Sequence, residues 1–130
     1  MKFQCQQSGP VPSVENEEHL SRLLNAAAKQ AAADRLTAVN LYAENGDALT
    51  IVLGGTQTVL SFTYGHGNPP YFASLGVADE IEPVLTCYLF NSHHSEFPRR
   101  NVIPIESGLA AAQEFFKTKE LPRQVEWEEV

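Results

Sequence analysis

Between Thr37 and Tyr64 the apolar residues fall on alternate positions, and two glycine-containing turns interrupt the run. Val39, Leu41 and Ala43 share one face of TAVNLYA, and Leu49, Ile51 and Leu53 share one face of ALTIVL. Leu60, Phe62 and Tyr64 do the same in TVLSFTY. A period of two belongs to strands with one buried face and cannot be laid along a helix. Glu44-Asn45-Gly46-Asp47 supplies the Asn-Gly pair that tight hairpins use, where both central residues need positive φ. Gly54-Gly55 makes the next turn. The stretch therefore reads as a three-stranded antiparallel meander whose apolar face something else must cover.

Two helical patterns can cover it. Ser13 is a candidate cap, with Glu15, Glu17 and Glu18 in the first turn, where the helix dipole favours anions. Leu20, Leu23, Leu24, Ala27 and Ala31 then form one stripe, predicting a helix that ends near Asp34. A second helix is predicted from Pro104 or Ile105 to Lys117, with Ile105, Leu109, Ala112 and Phe116 on one face. Leu121-Pro122 stops it.

YFASLG (71–76) and PVLTCYLF (83–90) read as further strands, while GHGNPP (65–70) and NSHHSEFPRR (91–100) read as loops. Residues 1–13 read as a tail or short edge strand. QVEWEEV closes the chain with Val125 and Trp127 on one side and glutamates on the other. Burying an indole removes apolar surface worth about 2–3 kcal/mol, so this end is expected to be docked. The expectation is a single α+β domain over residues 1–130. It has an antiparallel meander sheet of about five to six strands, packed by an N-terminal and a C-terminal helix, and a short C-terminal strand with Trp127.

Charge narrows the function. The net charge is −7, and from Leu36 to Pro98 there is no lysine or arginine, only the acids Glu44, Asp47, Asp79, Glu80, Glu82 and Glu96. Such a surface repels nucleic acid and anionic lipid and speeds encounter with a basic partner. There is no long apolar run to span a membrane and none near the start to act as a secretory signal, so cytoplasmic residence is expected. Cys5 and Cys87 are too few for a disulfide framework and read as free thiols, Cys87 in a strand core and Cys5 in the tail.

Reactive constellations are sparse. His19, His66, His93 and His94 lack zinc-ligand spacing, and no cofactor motif is present. Ser74 and Ser107 sit on no nucleophile elbow, and a thiol in an apolar strand is inert. Asp79, Glu80 and Glu82 read as a solvated acidic loop. A small metal- or thiol-dependent enzyme using Cys87, His93 and His94 stays open as an alternative, as does a non-catalytic adaptor domain.

The C-terminal residues Ala111, Ala112, Phe115, Phe116, Thr118, Lys119, Pro122, Val125, Trp127 and Glu129 form a pattern of paired aromatics, Thr-Lys, Pro and hydrophobic-x-Trp-x-Glu. It resembles the immunity-protein family of bacterial polymorphic toxin systems, in particular immunity to a double-stranded-DNA cytidine deaminase toxin. SFTYGHGNPPYFASLG is similar to that family's strand–loop–strand centre, and IPIESGLAAA to the entry of its last helix. Gly108 departs from the larger or helix-favouring residue usual there. The resemblance implies an α+β fold, no catalysis, and tight binding to the C-terminal domain of a cognate toxin in the cytosol; the charge adds the expectation that this partner is basic, and the missing motifs that no cofactor or metal is bound. The chain lacks the His-x-Glu and Pro-Cys-x-x-Cys signature of zinc deaminases and so is not read as the toxin. The expected contact face combines exposed aromatics with acids: Tyr64, His66, Asn68, Tyr71, Asp79, Glu80 and Glu82.

Overall fold

The computed structural model describes residues 1–6, 8–31, 35–77, 85–90 and 93–130. The meander forms as its alternation requires, with β2 (Thr37–Tyr42), β3 (Ala48–Leu53) and β5 (Leu60–Thr63) pairing antiparallel. Its turns differ in detail. Only Gly46 of the first turn has positive φ, and its N–H donates to Ala43 O at 3.0 Å while Ala43 N–H donates to Asp47 O at 2.9 Å. This is a three-residue loop closed by a left-handed glycine rather than the two-residue Asn-Gly turn.

The third strand is also interrupted at Val59. The short β4 (Gln57–Thr58) pairs instead with β9 (Ile103–Pro104) in a separate ribbon. Beside it the Thr58 hydroxyl accepts from Val52 N–H at 3.1 Å and donates to Val52 O at 2.7 Å. One side chain thus satisfies both main-chain groups that the ladder leaves open there.

The other strands are β1 (Lys2–Gln4), β6 (Phe72–Leu75), β7 (Leu85–Leu89), β8 (His93–Phe97) and β10 (Glu126–Glu129). The main sheet runs β10-β6-β5-β3-β2-β7-β8, and β1 also pairs with β2. One edge of β2 is shared: β1 runs antiparallel along Asn40–Tyr42, and β7 lies parallel beside Thr37 and Ala38. The expected antiparallel meander of five to six strands is therefore corrected to a larger, mixed sheet. The loop expected at 91–100 is corrected as well. Its described part is β8 followed by a tight turn at Arg99–Asn101. That strand is held by main-chain pairing to β7 and is largely exposed, so it carries no hydrophobic period to read.

Helix α1 (Glu17–Gln30) starts three residues later than Ser13 suggested. Asn16 is its cap, its side chain accepting from His19 N–H at 2.8 Å. Ser13 accepts from the Lys2 ammonium instead. Helix α2 (Ile105–Thr118) has the expected span, but its buried residues are Gly108, Ala111, Ala112 and Phe115. Phe115 rather than Phe116 fills the core. The departure at Gly108 has a packing cause: a Cβ there would stand 2.5 Å from the Thr58 methyl. Only glycine lets this turn lie on β4.

Both helices cover the face of the meander that carries Val39, Leu41, Leu49, Ile51, Leu60 and Phe62, burying these with Leu20, Leu24 and Phe115 in one core. The opposite face has its own smaller core of Ala38, Val52, Val59, Cys87 and Val102. The Arg99–Asn101 turn anchors this side. Asn101 Nδ2 donates to Ser74 O at 2.9 Å and to Glu128 Oε2 at 2.8 Å, and Ser74 Oγ donates to Asn101 O at 2.7 Å. Arg100 Nε lies 3.1 and 3.0 Å from the two Glu128 oxygens.

Candidate partner-binding site

The strand ends at one pole of the sheet gather the aromatic residues. Tyr64 leaves β5 with its ring edge-on to Phe62 at 5.2 Å and stacked on His66 at 5.5 Å. Phe72 stands 6.4 Å from both Tyr64 and Trp127. Tyr64 is half-buried against the main core, whereas His66 and Asn68 are exposed.

The loop carrying these residues is internally tied. Asn68 N–H donates to His66 Nδ1 at 2.9 Å, and the Tyr71 hydroxyl donates to Gly67 O at 2.9 Å. Asp47 in the β2–β3 turn accepts from Gly65 N–H at 2.8 Å, and Gly65 abuts the Asn45 backbone. A side chain at 65 has no room, so the two loops are locked as one surface. That rigidity limits the entropy a partner would have to remove on binding.

Beside this surface lies a groove of about 780 Å³. Tyr64, Trp127, Val125 and Leu121 supply apolar wall, and Asn45, Asp47 and the Lys119–Arg123 connection supply polar rim. Strand β10 positions Trp127 by pairing antiparallel with β6. The indole N–H donates to Pro122 O at 2.8 Å, which satisfies its one polar group and fixes the ring. Lys119 closes α2 in a left-handed conformation, with its ammonium on the Phe116 carbonyl and over the Phe116 ring at 4.4 Å. Glu114 accepts from the N–H groups of Arg123 and Gln124, holding the connection against the helix.

Of the residues expected at a contact face, Tyr64, His66, Asn68 and Tyr71 stand together on this pole. Asp79, Glu80 and Glu82 lie outside the described residues. Leu121, Val125 and Trp127 were missed as surface residues, and Asn45 and Asp47 read only as hairpin-turn and acidic residues. Trp127 read only as a fold anchor, because its proximity to Tyr64 depends on β10 adding to the far edge of the sheet.

Cys87, His93 and His94 do not all converge, since His93 shares the Cys87 face of the hairpin and His94 does not. Cys87 is fully buried, and burial pushes its thiol up to about 11. Its register partner is Ser95, while His94 is opposite Tyr88, so His94 projects from the other face of the hairpin. His94 meets the Tyr88 ring edge at 5.5 Å and the Glu96 carboxylate at 3.5 Å. Among the described residues no group of three His, Cys, Asp or Glu is placed to hold a metal ion. No helix among them is long and apolar enough to cross a membrane.

Fold and surface together describe a small α+β protein whose prominent feature is a rigid pole with an aromatic-walled groove. The sequence model of the family described as Immunity protein Imm1 matches residues 10–129, and the chain belongs to that family. No curated protein matches the chain significantly.

Proposed function

We propose that this chain is an immunity protein that binds a cognate bacterial toxin and neutralises it by occluding its active or substrate-binding site. It performs no reaction of its own. Membership of the Imm1 family across residues 10–129 carries this reading. The C-terminal resemblance extends it to a deaminase-like toxin acting on nucleic acid in the cytoplasm. A protein that handles nucleic acid presents a basic substrate surface. A chain of net charge −7 with no lysine or arginine between Leu36 and Pro98 complements such a surface and is steered to it.

The face assigned to the toxin is the pole bearing Tyr64, His66, Asn68 and Tyr71, together with the groove beside them. Aromatic residues with polar rims are the usual anchors of tight interfaces, and a pre-ordered loop keeps the ordering cost low. Asp79, Glu80 and Glu82 are assigned to the same face from the sequence alone, as charges that accelerate capture. The enzyme alternative is disfavoured because Cys87 is fully buried while His93, on the same side of the hairpin, is exposed and His94 lies on the opposite side.

The test is co-expression with the toxin C-terminal domain encoded beside it. The intact chain is expected to restore growth, and failure to rescue any neighbouring toxin overturns the reading. Reversing Asp79, Glu80 and Glu82 together should slow association at low salt, and an unchanged rate removes those acids from the face.

A further inference from the structure

Strand β8 ends the main sheet, and its outer side pairs with no strand among the described residues. The direction of each main-chain group follows from β7. Tyr88 and Phe90 donate toward β2, to Leu36 O at 2.9 Å and Ala38 O at 3.0 Å. Successive residues of a strand point their main-chain groups to opposite sides, so Cys87 and Leu89 face β8. Their register partners are Ser95 and His93. The main-chain groups of His94 and Glu96 therefore point outward.

Open edges are ordinarily protected by charged side chains, lysine above all, by proline, by a bulge or by shortness of the strand. Here the strand is HHSEF, without lysine or proline. The side chains of His94 and Glu96 are 54 % and 48 % exposed and stand on one face, 3.5 Å apart.

We propose that β8 pairs with β8 of a second copy of this chain, antiparallel about a two-fold axis at Ser95. In that register His94 faces Glu96 of the other copy, and Glu96 faces its His94. Both outward residues of each strand then form hydrogen-bonded pairs, so every open main-chain group of His94 and Glu96 gains a partner. Opposite residues share a sheet face, which places each imidazole against the partner's carboxylate. The edge is self-complementary, as an isologous contact requires.

The other end of the sheet makes the contrast. Self-pairing of β10, whose sequence is EWEE, in the equivalent register would set Glu128 against Glu128. Glu128 is already paired with Arg100 of its own chain, so that register offers no new opposite-charge pair. A toxin strand on β8 would need no such internal match of His94 with Glu96, so the second copy is the occupant the residues specify. The contact is small, and the dimer is accordingly weak and concentration-dependent.

Sedimentation equilibrium of the full chain alone, from micromolar to millimolar concentration, tests this. A monomer–dimer equilibrium is expected. His94→Glu, which sets carboxylate against carboxylate twice per dimer, should weaken it about tenfold. The exchange His94→Glu with Glu96→His restores opposite partners and should return most of the lost affinity. Glu96→His alone should weaken the dimer without introducing a repelling carboxylate pair. Far-UV circular dichroism verifies that each variant is folded. The proposal is overturned by a chain that stays monomeric throughout, by a dimer indifferent to His94→Glu, or by an exchanged variant no tighter than either single one. Edge pairing that appears only when toxin is added would likewise overturn it and assign the edge to the toxin.

Discussion

Replacing Gly108 by alanine sets two local effects against each other. In a helix interior alanine is favoured over glycine by about 1 kcal/mol, so propensity alone predicts a more stable protein. The structure predicts the reverse. The new Cβ would stand 2.5 Å from the Thr58 methyl, where ordinary contacts lie at about 3.4–4 Å. The methyl cannot swing away cheaply, because the Thr58 hydroxyl is tied to both main-chain groups of Val52. Overpacking of a tight core costs about 1–3 kcal/mol, so Gly108→Ala should lose about 1 kcal/mol net. Thr58→Ser removes the obstructing methyl while keeping the hydroxyl, and alone should cost about 1 kcal/mol. Combined, the two changes should be less damaging than their sum by about 1–2 kcal/mol. Urea unfolding followed by Trp127 fluorescence provides the four stabilities. A stabilised Gly108→Ala, or strict additivity in the double variant, would refute this packing account.

Trp127→Ala removes a half-buried indole that contacts Phe62 and Phe72 and a hydrogen bond to Pro122. Unfolding should show a loss of about 3 kcal/mol, and a loss below about 1 kcal/mol would mean that β10 is not docked. Hydrogen bonds from Arg100 first and Asn101 next hold the Glu128 carboxyl below its ordinary range. Its folded pKa is lowered, so its contribution is present above the ordinary carboxylate pKa and fades as pH falls through the folded value. Glu128→Gln should flatten the acid side of a stability-versus-pH curve, and an unchanged slope would show the pair to be idle. Cys87 shifts the opposite way, from 9.0 to about 11, so its contribution is intact below pH 9.0 and is lost as pH rises toward 11. Thiol titration at pH 8 should label Cys5 well before Cys87 in the native protein, and equal rates would contradict the burial.

The meander was legible because the larger apolar residues of each strand fall on one face at alternate positions, which writes the fold into the period of Val39–Leu41 and Leu49–Ile51–Leu53. Strand β8 was not, since an edge strand held by main-chain bonds needs no apolar alternation. The parallel pairing of β7 beside Thr37 and Ala38, and the second core around Cys87, are long-range facts without a local sequence trace. Helix α2 was placed correctly but rotated by about one residue. Phe115 and Phe116 are adjacent, and the Gly108–Thr58 contact that decides between them joins positions fifty residues apart. The candidate face was legible as far as it is contiguous. Tyr64, His66, Asn68 and Tyr71 share one loop, whereas the groove formed by Asp47, Leu121 and Trp127 exists only once three segments meet.

The proposal that this chain acts as a toxin-binding protein is tested most directly by calorimetric titration of the purified chain into the neighbouring toxin domain. One-to-one binding is expected, weakened at least about tenfold when Tyr64 and His66 are both changed to alanine, the loss typical of an aromatic anchor. Absence of binding would contradict the function, and full affinity in the Tyr64/His66 variant would contradict the assigned face.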